Sequence, residues 1–483
     1  MATCRQALRY GRRGSSSLWI GNIHLSIVKF NPRKGGISPQ NGTGALLNIL
    51  SLLNMRYQPI DPELFKSNRK TFSKKLEPNA VAIFNANDEY PRNGDQFYPY
   101  RQQSDFFYLT GVDQEKSILL LAPDHPEEKN REILFLIETN EQIAIWNGHK
   151  HTKEEARQLT GIENIQWPDA FEFVLRDLMA WSEKVYLNTY EYPKYFTELL
   201  SRDQRIAKEL QEKFPAHQYR RSAPIIIKQR MIKSKEEIAL IQKAIDITEK
   251  AFRRMLKFVK PGVKEFEIQA EMEHEFMMNG ANGSAYQPIV ASGENSCVLH
   301  YIENDKMCED GDVILFDFGA EYANYAADVS RTIPVNGKFS PRQRELYQLV
   351  LRVQKLAIRQ LVPGNTYEKY NKFVNQTMED EMINIGLLTI EDVAKQDPEN
   401  PLYKKYFMHG TAHHIGLDVH DVVDRHQPFQ AGMVFTCEPG IYVREEGIGI
   451  RIENNILITE NGPVDLTAKI PREVEEVEEV MKS

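Results

Sequence analysis

The sequence predicts an α/β (α+β) fold with two domains, the second of which is internally duplicated. Up to about residue 225, short β-rich runs alternate with polar segments that are compatible with helices. Beyond that point, two helix pairs, each interrupted by Pro-Gly and each followed by strand-like sequence, recur about a hundred residues apart. We therefore expect an N-terminal α/β domain and a C-terminal domain whose two halves are related by a pseudo-twofold axis.

The composition is that of a globular protein. Of 483 residues, 41% are hydrophobic and 27% are charged. No apolar run approaches the ~18 residues that span a bilayer, so we expect no membrane partner. The four cysteines (Cys4, Cys297, Cys308 and Cys437) form no CxxC pair. Reduced thiols and a cytoplasmic location are therefore expected.

Charge is distributed unevenly along the chain. The first 54 residues contain seven Lys and Arg and no Asp or Glu, whereas the whole chain has a net charge of −8. The acidic remainder argues against nucleic acid as a partner. The basic leader has the composition of an organellar, for example mitochondrial, presequence. The alternative is that translation starts at Met55 and that the preceding residues are not expressed or not folded. We expect a leader at 1–54 and domains at 55–225 and 226–483.

Four runs of the N-terminal domain are predicted to be strands. They are Val81–Phe84, Ser117–Leu121, Ile133–Ile137 and Ile143–Trp146. The domain is expected to end near the apolar run Ile225-Ile226-Ile227, because long amphipathic helices follow.

Four helices are predicted in the C-terminal domain. The first opens at Ser234 with Glu237 three residues later, which is a capping box. Their other boundaries are marked by Pro261-Gly262, Gly280, Pro341, Pro363-Gly364 and Gly386.

The stretch VILFDFGAEYANYAADVS contains two β-compatible runs around a polar turn. A hairpin with a two-residue loop at Tyr322-Ala323 would place Asp317 and Asp328 directly opposite each other. The apolar run before Asp317 indicates a buried strand. Two carboxylates ~5 Å apart repel unless one is protonated or a cation lies between them.

Two glutamates near the C-terminus follow further apolar runs. Glu438 ends MVFTCE, and Glu453 ends IGIRIE. Because alternate residues of a strand share a face, Arg451 and Glu453 lie opposite the isoleucines. A structural Arg–Glu pair is the alternative interpretation.

The stretch HGTAHHIGLDVHD contains four of the twelve histidines. Adjacent side chains of extended backbone point in opposite directions, so at most one of His413 and His414 faces a site. Four carboxylates and one imidazole form an oxygen-rich set that suits Mn²⁺ or a similar ion. Their four negative charges balance two divalent cations.

Taken together, these motifs resemble the pita-bread metallopeptidases, the group that holds methionine aminopeptidase, prolidase and aminopeptidase P. The resemblance rests on DFG, ADVSRTIP, HGTAHHIGLDVHD, TCEPGIYV and GIRIEN, and covers about residues 55–470. It implies a C-terminal pita-bread (creatinase/aminopeptidase) catalytic domain with two divalent metal ions, of which Mn²⁺ is expected and Zn²⁺ or Co²⁺ are alternatives. The implied metal ligands are Asp317, Asp328, His413, Glu438 and Glu453.

The resemblance also implies roles for other residues. His300, at the end of SGENSCVLH, and His420 would line the cleft and stabilise the reacting peptide, with Glu438 as the proton acceptor. The implied substrate-binding residues are His409, Arg451 and Tyr286.

The segment PYRQQSDFFYLTG resembles the N-terminal domain of aminopeptidase P more than that of prolidase. Phe106, Phe107 and Tyr108 in it are expected to pack in the core. The resemblance therefore implies a homo-oligomeric (dimeric or tetrameric) two-metal hydrolase that releases the N-terminal residue from peptides beginning Xaa-Pro. The alternatives are an Xaa-Pro dipeptidase and a non-catalytic peptide-binding module on the same fold.

Overall fold

The structure is a computed structural model that describes residues 18–20, 23–25, 57–189, 191 and 198–482. Most of the predicted leader therefore lies outside the described residues. Within it, strands β1 (Leu18–Ile20) and β2 (Ile23–Leu25) pair antiparallel, although no sequence pattern predicts them. The chain from Arg56 onward forms one compact unit.

The N-terminal part of this unit is a mixed sheet with flanking helices. Its helices are α1 (Pro62–Ser73), α2 (Ser104–Thr110), α3 (Glu141–Asn147), α4 (Lys153–Thr160), α5 (Phe171–Trp181), α6 (Arg202–Lys213) and α7 (Ala223–Met231). Its strands are β3 (Ala80–Asn85), β4 (Pro91–Asn93), β5 (Gln96–Phe97), β6 (Ile118–Leu121), β7 (Glu132–Phe135), β8 (Asn164–Gln166), β9 (Lys184–Leu187) and β10 (Gln218–Arg221). Six of these strands form one sheet in the order β10-β9-β3-β6-β7-β8.

Three of the four strands predicted in this region are present, and the fourth prediction was wrong. Ile143–Trp146 lies in helix α3, because the Asn140 side chain caps the helix by accepting a hydrogen bond from the Ile143 backbone N–H. A short apolar run does not distinguish strand from helix by its pattern alone. The run Ile225–Ile227 likewise lies inside α7, one element before the long helices begin.

The four predicted long helices are present in the C-terminal part. They are α8 (Lys235–Phe258), α9 (Glu265–Met278), α10 (Pro341–Ile358) and α11 (Tyr367–Asn384). The capping box forms as expected, since Ser234 N–H donates to the Glu237 carboxylate at 2.8 Å and Glu237 N–H donates to Ser234 Oγ at 3.2 Å. Two shorter helices follow, α12 (Ile390–Lys395) and α13 (Val474–Lys482).

Each helix pair is followed by a group of antiparallel strands, which matches the predicted duplication. The first group is β11 (Gly283–Ser284), β12 (Ile289–Ser292), β13 (Val313–Phe318), β14 (Ala320–Tyr322), β15 (Tyr325–Ala326) and β16 (Val329–Pro334). The second is β17 (Val434–Cys437), β18 (Gly440–Val443), β19 (Ile448–Arg451), β20 (Asn454–Thr459) and β21 (Gly462–Asp465). Their sheets have the orders β12-β13-β16, β11-β14-β15, β17-β20-β21 and β18-β19.

The hairpin that carries the two aspartates differs from its predicted register. Its two-residue turn is Ala323-Asn324, both with positive φ (50° and 66°), rather than Tyr322-Ala323. Asp317 therefore lies opposite Ser330 and not opposite Asp328. The turn moves because Asn accepts the left-handed conformation that a hairpin turn requires. Residues two apart share a strand face, so the two aspartates still lie on one face.

One hydrophobic core extends through both predicted domains. It joins residues of the N-terminal part, including Phe106, Phe107 and Tyr108, to the long helices and to the strands of both C-terminal halves. A second core lies in the N-terminal sheet. The boundaries at 225 and 226 therefore stay a prediction, while the expected core role of the aromatic residues is confirmed.

In the described part of the chain, no helix is long and apolar enough to cross a membrane. Cys297, Cys308 and Cys437 are free and buried.

Candidate metal centre and active site

The site forms where strand ends from the two C-terminal halves meet. Asp317 lies on β13, Asp328 immediately before β16, and Glu438 immediately after β17. Glu453 lies in the two-residue connection between β19 and β20, and its N–H donates to the Ser330 carbonyl of β16 at 3.0 Å. The duplicated halves therefore supply carboxylates to one place.

The two aspartates are joined through one phenol. Tyr286 lies so that its hydroxyl oxygen is 2.5 Å from an oxygen of Asp317 and 2.6 Å from an oxygen of Asp328. A single O–H donates to one carboxylate at a time, so this hydroxyl fixes the separation of the pair without neutralising either charge.

His413 completes the cluster from the histidine-rich stretch. Its Nε2 lies 3.3 Å from Asp328 Oδ2 and 3.6 Å from Glu438 Oε1. Its Nδ1 lies 2.9 Å from the His414 carbonyl oxygen, which favours a proton on Nδ1 and leaves Nε2 to face the carboxylates. Burial lowers the pKa of His413, but Asp328 and Glu438 outweigh burial and raise it to about 9.

Arg451 and Glu453 share Ser330 as a partner. Ser330 Oγ donates to Glu453 at 2.8 Å and accepts from Arg451 Nε at 2.8 Å. The Arg451 guanidinium also donates to Asp317 at 2.6 Å and to the Tyr442 hydroxyl at 3.1 Å. Both side chains thus reach the same serine hydroxyl, but the ion pair of Arg451 is with Asp317 rather than with Glu453.

The carboxyl groups of Asp317, Glu438 and Glu453 have raised pKa values. Burial is the largest cause for Asp317, Glu438 and Glu453, and repulsion from neighbouring carboxylates adds to it; the pKa of Glu438 reaches about 7. Arg451 and His413 are the cations that oppose this repulsion within the group. Asp328, His413 and Glu453 each offer a ligand atom within 4.8 Å of the others, so the residues present fit divalent ions.

A second group with ligand spacing, His149, His151 and Glu155, lies in the N-terminal part. There the Glu155 carboxylate already accepts hydrogen bonds from Thr152 in a capping box and pairs with the exposed His149. It lacks the buried, mutually repelling carboxylates of the first group, so the first group fits a metal better.

Two further predicted histidines, His420 and His409, lie beside the cluster. The His420 ring stacks on the His413 ring at a centroid separation of 4.0 Å and 8° between planes, and both His420 and His300 are exposed. His409 Nε2 lies 2.8 Å from the Tyr442 hydroxyl, and its Nδ1 is 4.0 Å from Glu438. His414 points away into the core, with its ring centroid 4.2 Å from that of Phe435.

Sequence reasoning missed Ser330 and Tyr442, which connect the charged groups. Both lie in the quoted motifs, ADVSRTIP and TCEPGIYV, but a serine or tyrosine in a strand gives no chemical signal alone. The corrected hairpin register provides that signal for Ser330, because it places Ser330 directly opposite Asp317.

Comparison with known proteins identifies the class. Residues 239–460 match metallopeptidase family M24, and residues 65–186 match the aminopeptidase P N-terminal domain. The chain belongs to the M24 metallopeptidases that carry the aminopeptidase P N-terminal domain, and the fold is the expected pita-bread fold.

Individual relatives match nearly from end to end. The chain is 36% identical to the Xaa-Pro aminopeptidase of Haemophilus influenzae, over 87% of this chain and 97% of that protein. It is 34% identical to the Xaa-Pro aminopeptidase of Escherichia coli, over 87% and 98%. A structure of aminopeptidase P from E. coli in its low-pH form superposes with a TM-score of 0.80 at 33% identity, covering 88% of this chain and 99% of that one.

Proposed function

We propose that this chain is a metal-dependent Xaa-Pro aminopeptidase, which releases the N-terminal residue from peptides with proline in the second position. The observation that carries the proposal is the group of buried Asp328, half-buried His413 and buried Glu453, flanked by Asp317 and Glu438. It occurs in a chain that covers almost the full length of proteins named Xaa-Pro aminopeptidase.

Asp317, Asp328, His413, Glu438 and Glu453 would hold two divalent ions in this proposal. When bound, these ions would supply Lewis-acid activation of the scissile carbonyl and of the attacking water. The oxygen-rich donor set favours Mn²⁺, with Zn²⁺ or Co²⁺ as alternatives.

The other side chains would act on the peptide itself. Glu438 would accept the proton of the attacking water, and the exposed rings of His300 and His420 would donate hydrogen bonds to the developing oxyanion. His409 would bind the residue after the scissile bond. The Tyr442 hydroxyl lies within hydrogen-bond distance of His409 and accepts a hydrogen bond from Arg451, so Arg451 would fix the position of this hydroxyl beside His409. Tyr286 would hold Asp317 and Asp328 at their separation.

Proline requires a dedicated site for a physical reason. The bond before proline is a tertiary amide with no N–H, and the proline ring fixes φ. A pocket that recognises these features cannot use a hydrogen bond from the scissile nitrogen. The histidine rings proposed to line the cleft are consistent with this requirement.

We also propose that the chain forms homo-oligomers, with neither nucleic acid nor membrane as a partner. Ile145 and Trp146 of α3 are 78% and 86% exposed, and adjacent exposed apolar side chains favour burial against a second copy. Light scattering would test the oligomer.

The free buried cysteines support a reducing compartment, for which we propose the cytoplasm; a presequence in residues 1–54 would instead place the chain in mitochondria.

The decisive experiment compares kcat/KM for Xaa-Pro, Xaa-Pro-Yaa, N-acetyl-Xaa-Pro-Yaa and Xaa-Ala-Yaa, with Mn²⁺ and with a chelator. We expect tripeptides to be cleaved at least as well as dipeptides. Acetylation, exchange of proline for alanine and chelation should each abolish most activity.

Two alternatives predict different results in the same series. A dipeptidase must recognise a carboxylate directly after proline, so strict preference for Xaa-Pro would favour it. A peptide-binding module would bind Xaa-Pro-Yaa without cleaving it. Retention of full activity after complete removal of metal would overturn the metallopeptidase proposal, and equal restoration by Mg²⁺ would argue against manganese.

A further inference from the structure

The loop from His413 to Asp421, here called the histidine loop, carries two of the residues that the proposed mechanism uses. His413 begins it, and the exposed His420 ring returns to stack on His413. The loop closes on itself, because Asp421 N–H donates to the His414 carbonyl at 2.9 Å and Gly416 N–H donates to the Asp418 carbonyl at 3.1 Å. His420 stands between two aspartates, Asp418 and Asp421.

Both aspartates are held by one buried arginine. Arg230, at the end of α7, donates from its guanidinium to Asp421 at 2.5 Å and to Asp418 at 2.8 Å. Its third partner is Asp105, at 2.7 Å, and Lys233 adds a 2.8 Å bond to Asp421. Arg230, Asp105, Asp421 and Lys233 are all buried, so this network is shielded from water and salt.

The N-terminal segment PYRQQSDFFYLTG also forms hydrogen bonds with the histidine loop directly. Arg101 donates to the Leu417 carbonyl at 2.6 Å, and Ser104 Oγ donates to Asp418 at 2.6 Å. Asp105, the next residue, is the carboxylate that pairs with Arg230. Two residues of PYRQQSDFFYLTG, Arg101 and Ser104, therefore contact the histidine loop directly, and a third, Asp105, is linked to it through Arg230.

We infer that Asp105 and Arg230 are positioning residues, which set the place of the His420 ring over His413 from the N-terminal part of the protein. The inference rests on the proposed function. Its physical basis is that a planar guanidinium can bind three carboxylates in fixed directions, which a lysine ammonium cannot do. Small displacements of a group that acts on the reacting peptide are costly to the rate.

The test compares Asp105→Asn and Arg230→Lys with Arg69→Lys in the full-length, Mn²⁺-loaded protein. Arg69 is a matched control, because it is an equally buried arginine whose partners are the Leu109 and Thr160 carbonyls and Glu132, none of which lies in the loop. Ser104→Ala removes one hydrogen bond and no charge, and serves if Asp105→Asn and Arg230→Lys do not fold. For each variant we would measure amide hydrogen exchange over residues 413–421, the metal content, and kcat and KM for an Xaa-Pro-Yaa peptide.

We expect faster exchange over 413–421 and a fall in kcat of about tenfold or more in Asp105→Asn and Arg230→Lys, with metal content and KM nearly unchanged. Ser104→Ala should show the same pattern more weakly. Arg69→Lys should lower the melting temperature without these changes. The inference is overturned if exchange and kcat of the loop variants match those of Arg69→Lys. If the wild type cleaves no Xaa-Pro peptide, the proposed function fails, while loop-specific exchange still decides the positioning inference.

Discussion

At the scale of single residues, two adjacent histidines point in different directions, which separates the proposed metal ligand from a residue that packs in the core. His413 faces Asp328 and Glu438, whereas His414 is buried against Phe435, and neither of its ring nitrogens has a hydrogen-bond partner among the described residues. Burial lowers the pKa of His414 well below its usual value, so its ring is neutral.

We therefore predict that His413→Ala loses most bound metal, whereas His414→Ala keeps it and loses stability by about 2–4 kcal/mol through the cavity it leaves. Elemental analysis after dialysis and thermal melts measure the two effects. Equal metal content in the two variants would show that the ligand is wrongly assigned.

A second residue-scale prediction concerns the pH dependence of stability. Burial raises the pKa of Asp203 to about 7, while an unfolded aspartate titrates near ~3.9. The folded protein therefore keeps a proton that the unfolded chain releases between these values, so this contribution to stability is present at low pH and is lost as pH rises toward 7.

Asp203→Asn keeps an oxygen for the Asn85 N–H groups and never ionises. We predict that at pH 8 this variant has a higher melting temperature than the wild type and a free energy of unfolding larger by an amount on the order of 1–4 kcal/mol. Near pH 4 the two proteins should differ little in stability. Melts from pH 4 to 8 at constant metal concentration measure the difference. A difference that does not change with pH would contradict the prediction.

At the scale of elements, features set by neighbouring residues could be predicted and features set by distant ones could not. The capping box at Ser234 and Glu237 formed as expected because both partners lie within one turn. The apolar pattern of Ile143–Trp146 suited strand or helix, and the cap from Asn140 decided for helix. The hairpin was recognised, but its register depended on a turn at Ala323-Asn324, where both residues have positive φ. This turn moved every cross-strand pair by one residue in each strand.

The same hairpin gives a prediction about Gly319. A Cβ at this position would lie 1.8 Å from the Ala327 carbonyl oxygen, next to Asp328, although the glycine does not have a positive φ. Gly319→Ala should therefore force the two strands apart, cost about 1–3 kcal/mol or more, and weaken metal binding by displacing Asp328. Thermal melts and metal titration check this. Gly410→Ala is the control, because its Cβ would meet nothing within 4 Å, and equal effects in both variants would refute the steric argument.

At the scale of the whole molecule, the candidate site could be predicted because its chemistry is carried by rare residue types in distinctive motifs. Carboxylates after buried strands and a cluster of histidines are visible in the sequence alone. The supports of the site were not visible, since Arg230 reaches Asp105 and Asp421 across 125 and 191 positions. Each of those charged residues alone resembles a surface residue, and only the folded chain shows that they are buried together.

The last prediction concerns the basic leader and the body that follows it. The chain from Arg56 onward forms one compact unit, whose core joins the N-terminal sheet region to both C-terminal halves. Every residue of the candidate site belongs to this unit, as do the residues of the Arg230 network. We therefore predict that deleting residues 1–54 leaves the melting temperature within a few degrees of that of the full chain. The metal content and kcat/KM for an Xaa-Pro-Yaa peptide should stay within about twofold of the full chain. A deletion into α1, for example of residues 1–73, is the matched control, because it removes the buried Phe65 and Phe72 and should prevent folding. A marked loss of stability or activity on removal of residues 1–54 alone would show that the leader contributes to the fold.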